Sequence, residues 1–156
     1  MTRWLSAEQQ QHWRDYITAT TLLEERLARE LQAAHGLTMA DYEILVRLSD
    51  SPTRRLRMSQ LAERSLASRS RLSHQIDRME KAGLVRREPC EEDRRGANAA
   101  LTDHGWDVLV EAAPAHVESV RRHLVDVLSD QEFAALGRSC AKIADHLREP
   151  ECIDEP

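Results

Sequence analysis

Glycine is scarce in this chain, at five residues of 156, as are proline, also five, and cysteine, three. Five glycines leave little room for a phosphate-cradling loop, and neither a Walker-type run nor a nucleophile elbow is present. The cysteines Cys90, Cys140 and Cys152 are odd in number, irregularly spaced and without a CxxC pair. That argues against a disulfide framework or zinc knuckle and for reduced thiols. Seven histidines include no HExxH pattern; His116 and His123 share a predicted helix face but lack a third ligand. With no paired-carboxylate constellation either, neither an enzyme nor a cofactor protein is expected. No apolar run approaches the roughly 18 residues of a membrane span, and no secretory leader is recognisable, so a cytoplasmic location is expected. Aromatic residues are only 4%, which leaves packing to Leu, Ala and Val.

What the chain has is charge, 31% of all residues, and it is segregated. The net charge is −5, yet residues 53–95 hold 12 basic against 7 acidic side chains. A polyanion responds to the field within about a Debye length, roughly 8 Å at physiological salt, rather than to the chain's sum. Of the 22 basic residues only Lys81 and Lys142 are lysine; the rest are arginine, whose planar fork suits phosphate and guanine.

Helix signals divide the chain. Ser6 with Gln9 is a capping box opening a helix to about Ala34, with Trp13, Ile17, Leu23, Leu27 and Leu31 on one face and Gly36 as its stop. Thr38 with Asp41 opens a second helix that directs Tyr42, Leu45 and Leu48 inward. A small strand at Leu56–Met58 precedes a short helix capped by Ser59, with Leu61 and Ala62 buried. Ser68 caps a further helix to Ala82 whose buried stripe is Leu72, Ile76 and Met79, and Gly83 ends it. Residues 84–88 and 98–101 read as a hairpin with a long charged tip. Thr102 caps a long helix, kinked by Pro114, that carries its apolar face to Leu124 and Leu128. Ser129 with Glu132 opens a last helix with Phe133, Leu136, Cys140, Ile143 and Leu147 at steps of three and four. That seam suits helix–helix packing, with Cys140 in the core.

Two short helices joined by a tight turn and followed by a charged hairpin form the layout of a winged helix-turn-helix. The expected fold is therefore mostly α with a small β-hairpin wing, a winged helix-turn-helix flanked by N- and C-terminal dimerisation helices. The boundaries expected are a dimerisation helix at 1–36, a DNA-binding part at 37–102, dimerisation helices at 103–148 and an acidic tail at 149–156.

The helix after Ser68 turns Arg69, Ser70, Ser73, His74, Asp77 and Arg78 away from its buried stripe. Donors near a helix N-terminus are what base edges and phosphates require, and Arg69 and Arg71 could each fork onto guanine. Ser68, Ser70, Ser73 and His74 could reach bases or phosphates. At the hairpin tip, Arg94 and Arg95 suit a minor groove, with Asp93 bracing Arg95, and Arg86 and Arg87 on the strand beneath would add phosphate contacts.

Asp93-Arg94-Arg95 followed by Leu101-Thr102-Asp103-His104-Gly105 resembles the wing motif of the MarR family of transcriptional regulators. Ile76 to Val85 resembles the stretch joining recognition helix to wing in the same family. The resemblance implies a triangular homodimer, usually a repressor, on double-stranded DNA, with Arg95 at the wing tip, Asp93 its partner and Arg78 near the recognition-helix end. It also implies release by a small, often phenolic, effector. Trp13, Tyr16 and Trp106 are the candidate pocket residues, and Cys90 at the wing base is the candidate for redox control. Two alternatives stay open: a winged-helix protein–protein module, and a regulator that senses metal or redox state.

Overall fold

The computed structural model describes residues 1–65, 67–90 and 96–148. Its elements run α1 (Ala7–His35), α2 (Met39–Ser49), β1 (Arg55–Arg57), α3 (Met58–Arg64), α4 (Arg69–Lys81), β2 (Val85–Pro89), β3 (Ala97–Leu101), α5 (Asp103–His123) and α6 (Asp130–Arg148). They form two compact units, Met1–Glu118 and Ser119–Pro156.

Helix ends in the first unit follow the cap chemistry. Ser6 Oγ accepts from Gln9 N at 3.1 Å while the Gln9 side chain accepts from Ser6 N, and Gly36 closes α1 at φ +66°. Thr38 Oγ1 accepts from Asp41 N at 3.1 Å. Asp41 does not return the bond as a box would; its carboxylate faces α4. One expectation is corrected: α3 begins at Met58 with Arg57 as its cap, so Ser59 lies inside the helix. The cause is continuity, since β1 runs straight into α3 and Gln60 Oε1 accepts from Arg57 N at 3.3 Å.

The core gathers one face of each element. Leu45 and Leu48 of α2, Leu61 of α3, Ile76 of α4 and Ala99 of β3 are wholly enclosed, with Leu72, Met79 and Val85 almost so. Burying each of the larger side chains fully contributes about 1.5–3 kcal/mol. Apolar positions recur every three or four residues in the helices, while β3 buries Ala99, Ala100 and Leu101 in succession between its two neighbouring strands. The sheet is antiparallel in the order β1-β3-β2, pairing Leu56 with Ala99 and Val85 with Leu101.

Two short segments tie the sheet to its neighbours. The turn after α2 ends at Arg54, held at φ +53°, whose carbonyl accepts from Leu101 N and whose guanidinium lies 3.9 Å over the Trp106 ring. At the start of α5, Thr102 Oγ1 shares its proton between the Gly83 and Leu84 carbonyls, at 2.6 and 3.0 Å, and accepts from Gly105 N. The helix continues past Pro114, which has no N–H to donate to the Val110 carbonyl one turn earlier.

The second unit departs from expectation at its start. α5 ends at His123, and Val125–Val127 forms a 3-10 turn instead of continuing the helix through Leu128. Arg121 Nη2 reaches the Asp126 carboxylate at 2.6 Å and stabilises that turn. Ser129 and Glu132 then exchange the bonds of a capping box, which holds the Glu132 carboxyl below its usual range, mainly through the Ser129 hydroxyl. Phe133, Leu136, Ile143 and Leu147 of α6 are exposed, and so is Cys140, which was expected in the core. No described residue of α6 is buried. The expected tail at 149–156 lies outside the described residues.

Candidate nucleic-acid interface

The site is built on α4. Ser68, in extended backbone, accepts from Arg71 N at 3.2 Å and starts the helix. The buried stripe of Leu72, Ile76 and Met79 then decides which side chains face outward. Ser68, Arg69, Ser70, Arg71 and His74 are exposed, and Ser73 is half-buried. Four of these, Arg69, Ser70, Arg71 and His74, form a continuous outward surface over the first two turns, next to the positive end of the helix dipole.

The C-terminal half of α4 is committed internally. Arg78 Nη2 lies 2.8 Å from Asp41 Oδ1, and Gln75 Nε2 donates to the same oxygen at 3.4 Å. Asp41 is only 8% exposed, so this pair sits where α2 meets α4. Arg78 was expected to face DNA; its outer atoms remain exposed, but its terminal nitrogen is spent on α2.

Arg87 of β2 was expected to reach phosphate, and the structure points it the other way. Its register opposite Ala99 puts it on the sheet face that packs on α4. There its guanidinium pairs with Asp77 and donates to Ser73 O and Oγ at 3.1 and 3.0 Å. Its backbone N donates to Glu80 Oε1 at 2.8 Å. The hydrogen bond from Arg87 holds the Asp77 carboxyl below its usual range. Arg86 faces the opposite side, where Glu88 accepts from its Nε at 2.7 Å and pairs with Arg55 of β1 at 3.4 Å.

At the hairpin tip, Cys90 N donates to Gly96 O at 3.2 Å and Cys90 is buried. Asp93, Arg94 and Arg95 lie outside the described residues. A cleft of about 450 Å³ separates α3 and the start of α4 from the wing, lined by Arg57, Ser59, Arg69, Ser73, Arg87 and Gly96 among others.

The aromatic residues proposed for a pocket are divided. Trp13 and Tyr16 stack on each other, centroids 6.0 Å apart, and both are exposed on α1. Trp106 is half-buried beneath Arg54. Among the described residues no group of three His, Cys, Asp or Glu side chains could hold a metal ion, and no helix is long and apolar enough to cross a membrane. Sequence reasoning missed Asp41 and Arg54. Asp41 reads locally as the third residue of a helix turn, and nothing within four residues of it announces Arg78.

Comparison with known proteins gives a consistent answer. A model described as MarR family matches residues 35–96. The chain is 51% identical to AbsC, a MarR family transcriptional regulator from Streptomyces coelicolor, over 96% of this chain and all of that one, with a TM-score of 0.92. It is 46% identical to Sco3205, a MarR family transcriptional regulator from the same organism solved in complex with DNA, over 99% and 97% of the two chains, TM-score 0.94. It is also 29% identical to the HTH-type transcriptional regulator PecS of Dickeya dadantii (strain 3937), over 84% of this chain and 79% of that protein.

Proposed function

The chain belongs to the MarR family of transcriptional regulators, and from that premise we propose that it binds a pseudo-palindromic duplex operator as a homodimer and represses from it. The observation that carries this reading is the division of α4. Arg69, Ser70, Arg71 and His74 face outward at its N-terminal end, while Ser73, Gln75, Asp77, Arg78 and Glu80 are bonded within the chain. A recognition helix meets the major groove with its N-terminal residues, so the exposed donors are where base contacts are made. Arg69 and Arg71 are the guanine readers, and Ser68, Ser70 and His74 reach bases or phosphates. Asp93, Arg94 and Arg95 are assigned to the adjoining minor groove on the sequence motif.

Dimerisation is assigned to residues 1–36 and 103–148, and DNA binding to 37–102. Supporting this, α1 exposes Trp13, Tyr16 and Ile17, and α6 exposes Phe133, Leu136, Ile143 and Leu147. Apolar side chains lined up on a helix face mark an interaction surface, and in this family a second copy covers it. Two-fold symmetry then places the half-sites about one helical turn apart, roughly 10 bp. Release by a small phenolic effector follows from the family resemblance alone, with Trp13, Tyr16 and Trp106 assigned to its pocket on the sequence.

Selection of bound duplexes from a random pool, with the affinity of the winners followed against salt, tests the reading. A palindromic consensus whose affinity falls steeply with salt is expected, because neutralised phosphates release counterions. Weak binding to every duplex, with no enrichment, would instead make the module a protein-binding one.

A further inference from the structure

Ser73, Asp77 and Glu80 stand at steps of four and three on α4, a second stripe beside the buried one, and every member of it is bonded to the same residue. Arg87 of β2 pairs with Asp77, donates to Ser73 Oγ at 3.0 Å and to its carbonyl at 3.1 Å, and lies 3.5 Å from Glu80 Oε2. The Arg87 backbone N adds a bond to Glu80 Oε1 at 2.8 Å. One wing-strand arginine thus spans two turns of the helix. It does so from the inner face of the sheet, where its side chain is 29% exposed.

We infer that Arg87 is a positioning residue: with Asp77 it fixes the wing at one angle to the recognition helix, so that both can enter their grooves together, and it touches no phosphate itself. The inference rests on the DNA-binding reading above and deepens it. The physical reason is geometric. The base-reading residues are on α4 and the minor-groove residues are at the tip of the β2–β3 hairpin, and both must match grooves whose separation the duplex sets. α4 passes into β2 through the short turn at Gly83, φ +74°, where Thr102 holds the Gly83 and Leu84 carbonyls and fixes that end of the strand. Cross-bracing at Ser73, Asp77 and Glu80 holds the strand to the helix further toward the hairpin tip. A guanidinium is suited to the task because its fork meets several acceptors at once, which an ammonium cannot. Ser73 Oγ accepts from Arg87 and keeps its own O–H to donate.

The test compares Arg87→Met, Arg87→Lys and Asp77→Asn with the parent protein on the selected operator and on unrelated duplex, across a salt series. Positioning predicts that all three variants lose operator preference, by about tenfold or more. Any change in salt slope should be shared by Arg87→Met and Asp77→Asn, because both release the same wing. Asp77→Asn is the decisive arm. Deleting a carboxylate beside DNA strengthens binding on electrostatic grounds alone, so a loss of operator preference there supports the brace. A stronger Asp77→Asn complex, together with an Arg87→Met slope lower by about 0.9, would make Arg87 a phosphate contact and overturn the proposal. Amide exchange at residues 85–88 supplies a readout without DNA: it should quicken in Arg87→Met and Asp77→Asn at unchanged helix content, and unchanged exchange counts against the brace. Should Arg87→Met fail to fold, Arg87→Lys and Asp77→Asn carry the same comparison. A parent protein that selects no duplex defeats the functional reading, whereas a failed brace leaves it standing.

Discussion

Arg78 Nη2 lies 2.8 Å from the carboxylate of Asp41, pinning the helix that carries the exposed arginines to a helix 37 residues earlier in the chain. The two partners are unequal, because Asp41 is buried and the Arg78 side chain is 62% exposed.

That inequality predicts an asymmetric cost. Arg78→Ala leaves a buried carboxylate whose remaining side-chain donor among the described residues is Gln75 at 3.4 Å, and should destabilise the fold by about 1–3 kcal/mol. Asp41→Asn releases an arginine into water and should cost less, and the double variant should cost less than the two singles combined. Urea denaturation at fixed protein concentration measures all three. An Arg78→Ala protein as stable as its parent, with a shallower salt slope on DNA, would return Arg78 to the phosphate contacts.

At the other end of α4, Arg69 is exposed and can reach a base edge. Arg69→Ala should weaken operator binding by about 1–3 kcal/mol and relax preference at one position of each half-site. Competition against operators changed one base pair at a time gives the answer. A uniform loss across all of them identifies a phosphate contact.

Gly105 and Gly83 flank the start of α5 and should differ in what they tolerate. A Cβ at Gly105 would collide with the Leu84 carbonyl oxygen, which is backbone and cannot swing aside. Gly105→Ala should therefore prise α5 from the hairpin and cost about 1–3 kcal/mol, or more if the wing shifts. At Gly83 there is space, with only the His104 ring at 3.8 Å, and the cost of alanine is the left-handed backbone, about 1–2 kcal/mol. Thermal melting should rank Gly105→Ala below Gly83→Ala; the reverse order would mean that α5 does not bear on Leu84 in solution.

His116 predicts a pH dependence. Its ring packs on Tyr42, centroids 4.6 Å apart, and its Nδ1 is buried without a hydrogen bond to any described residue. Burial lowers its pKa below the ordinary value of about 6.5, so the folded state takes up a proton less readily than the unfolded chain. The stabilising contribution is complete above about pH 6.5 and is lost as pH falls from there toward the depressed folded value. His116→Phe keeps a ring on Tyr42 and cannot titrate. Between about pH 7.5 and 5.5 its denaturation midpoint should fall less than the parent's, and equal declines would place the pH sensitivity elsewhere.

Much of this architecture was legible in the residues. The caps at Ser6, Thr38, Ser68, Thr102 and Ser129 each start a helix, and the stripe of Leu72, Ile76 and Met79 is buried as its spacing requires. The family followed from the wing motif. Ser59 misled because a serine at a helix start can stand inside the first turn as well as before it. The end of α5 misled because Leu124 and Leu128 keep the apolar spacing of a helix, while the turn between them, with its Arg121–Asp126 pair, leaves no mark in that spacing.

The sequence by itself determined the order of the helices and strands, the buried faces of α2, α3 and α4, and the end of α4 that carries exposed donors. These depend on interactions within about four residues or on a period of 3.6, and both are local properties of the chain. Only the tertiary structure decided which arginines are available. Arg86 and Arg87 are neighbours of identical composition, yet the pleat sends one to the outer face and Glu88, and the other inward to Ser73 and Asp77. Arg78 likewise resembles Arg69 until Asp41 is brought beside it. A charge is spent or free according to what the fold places within about 4 Å of it, and no local pattern encodes that distance.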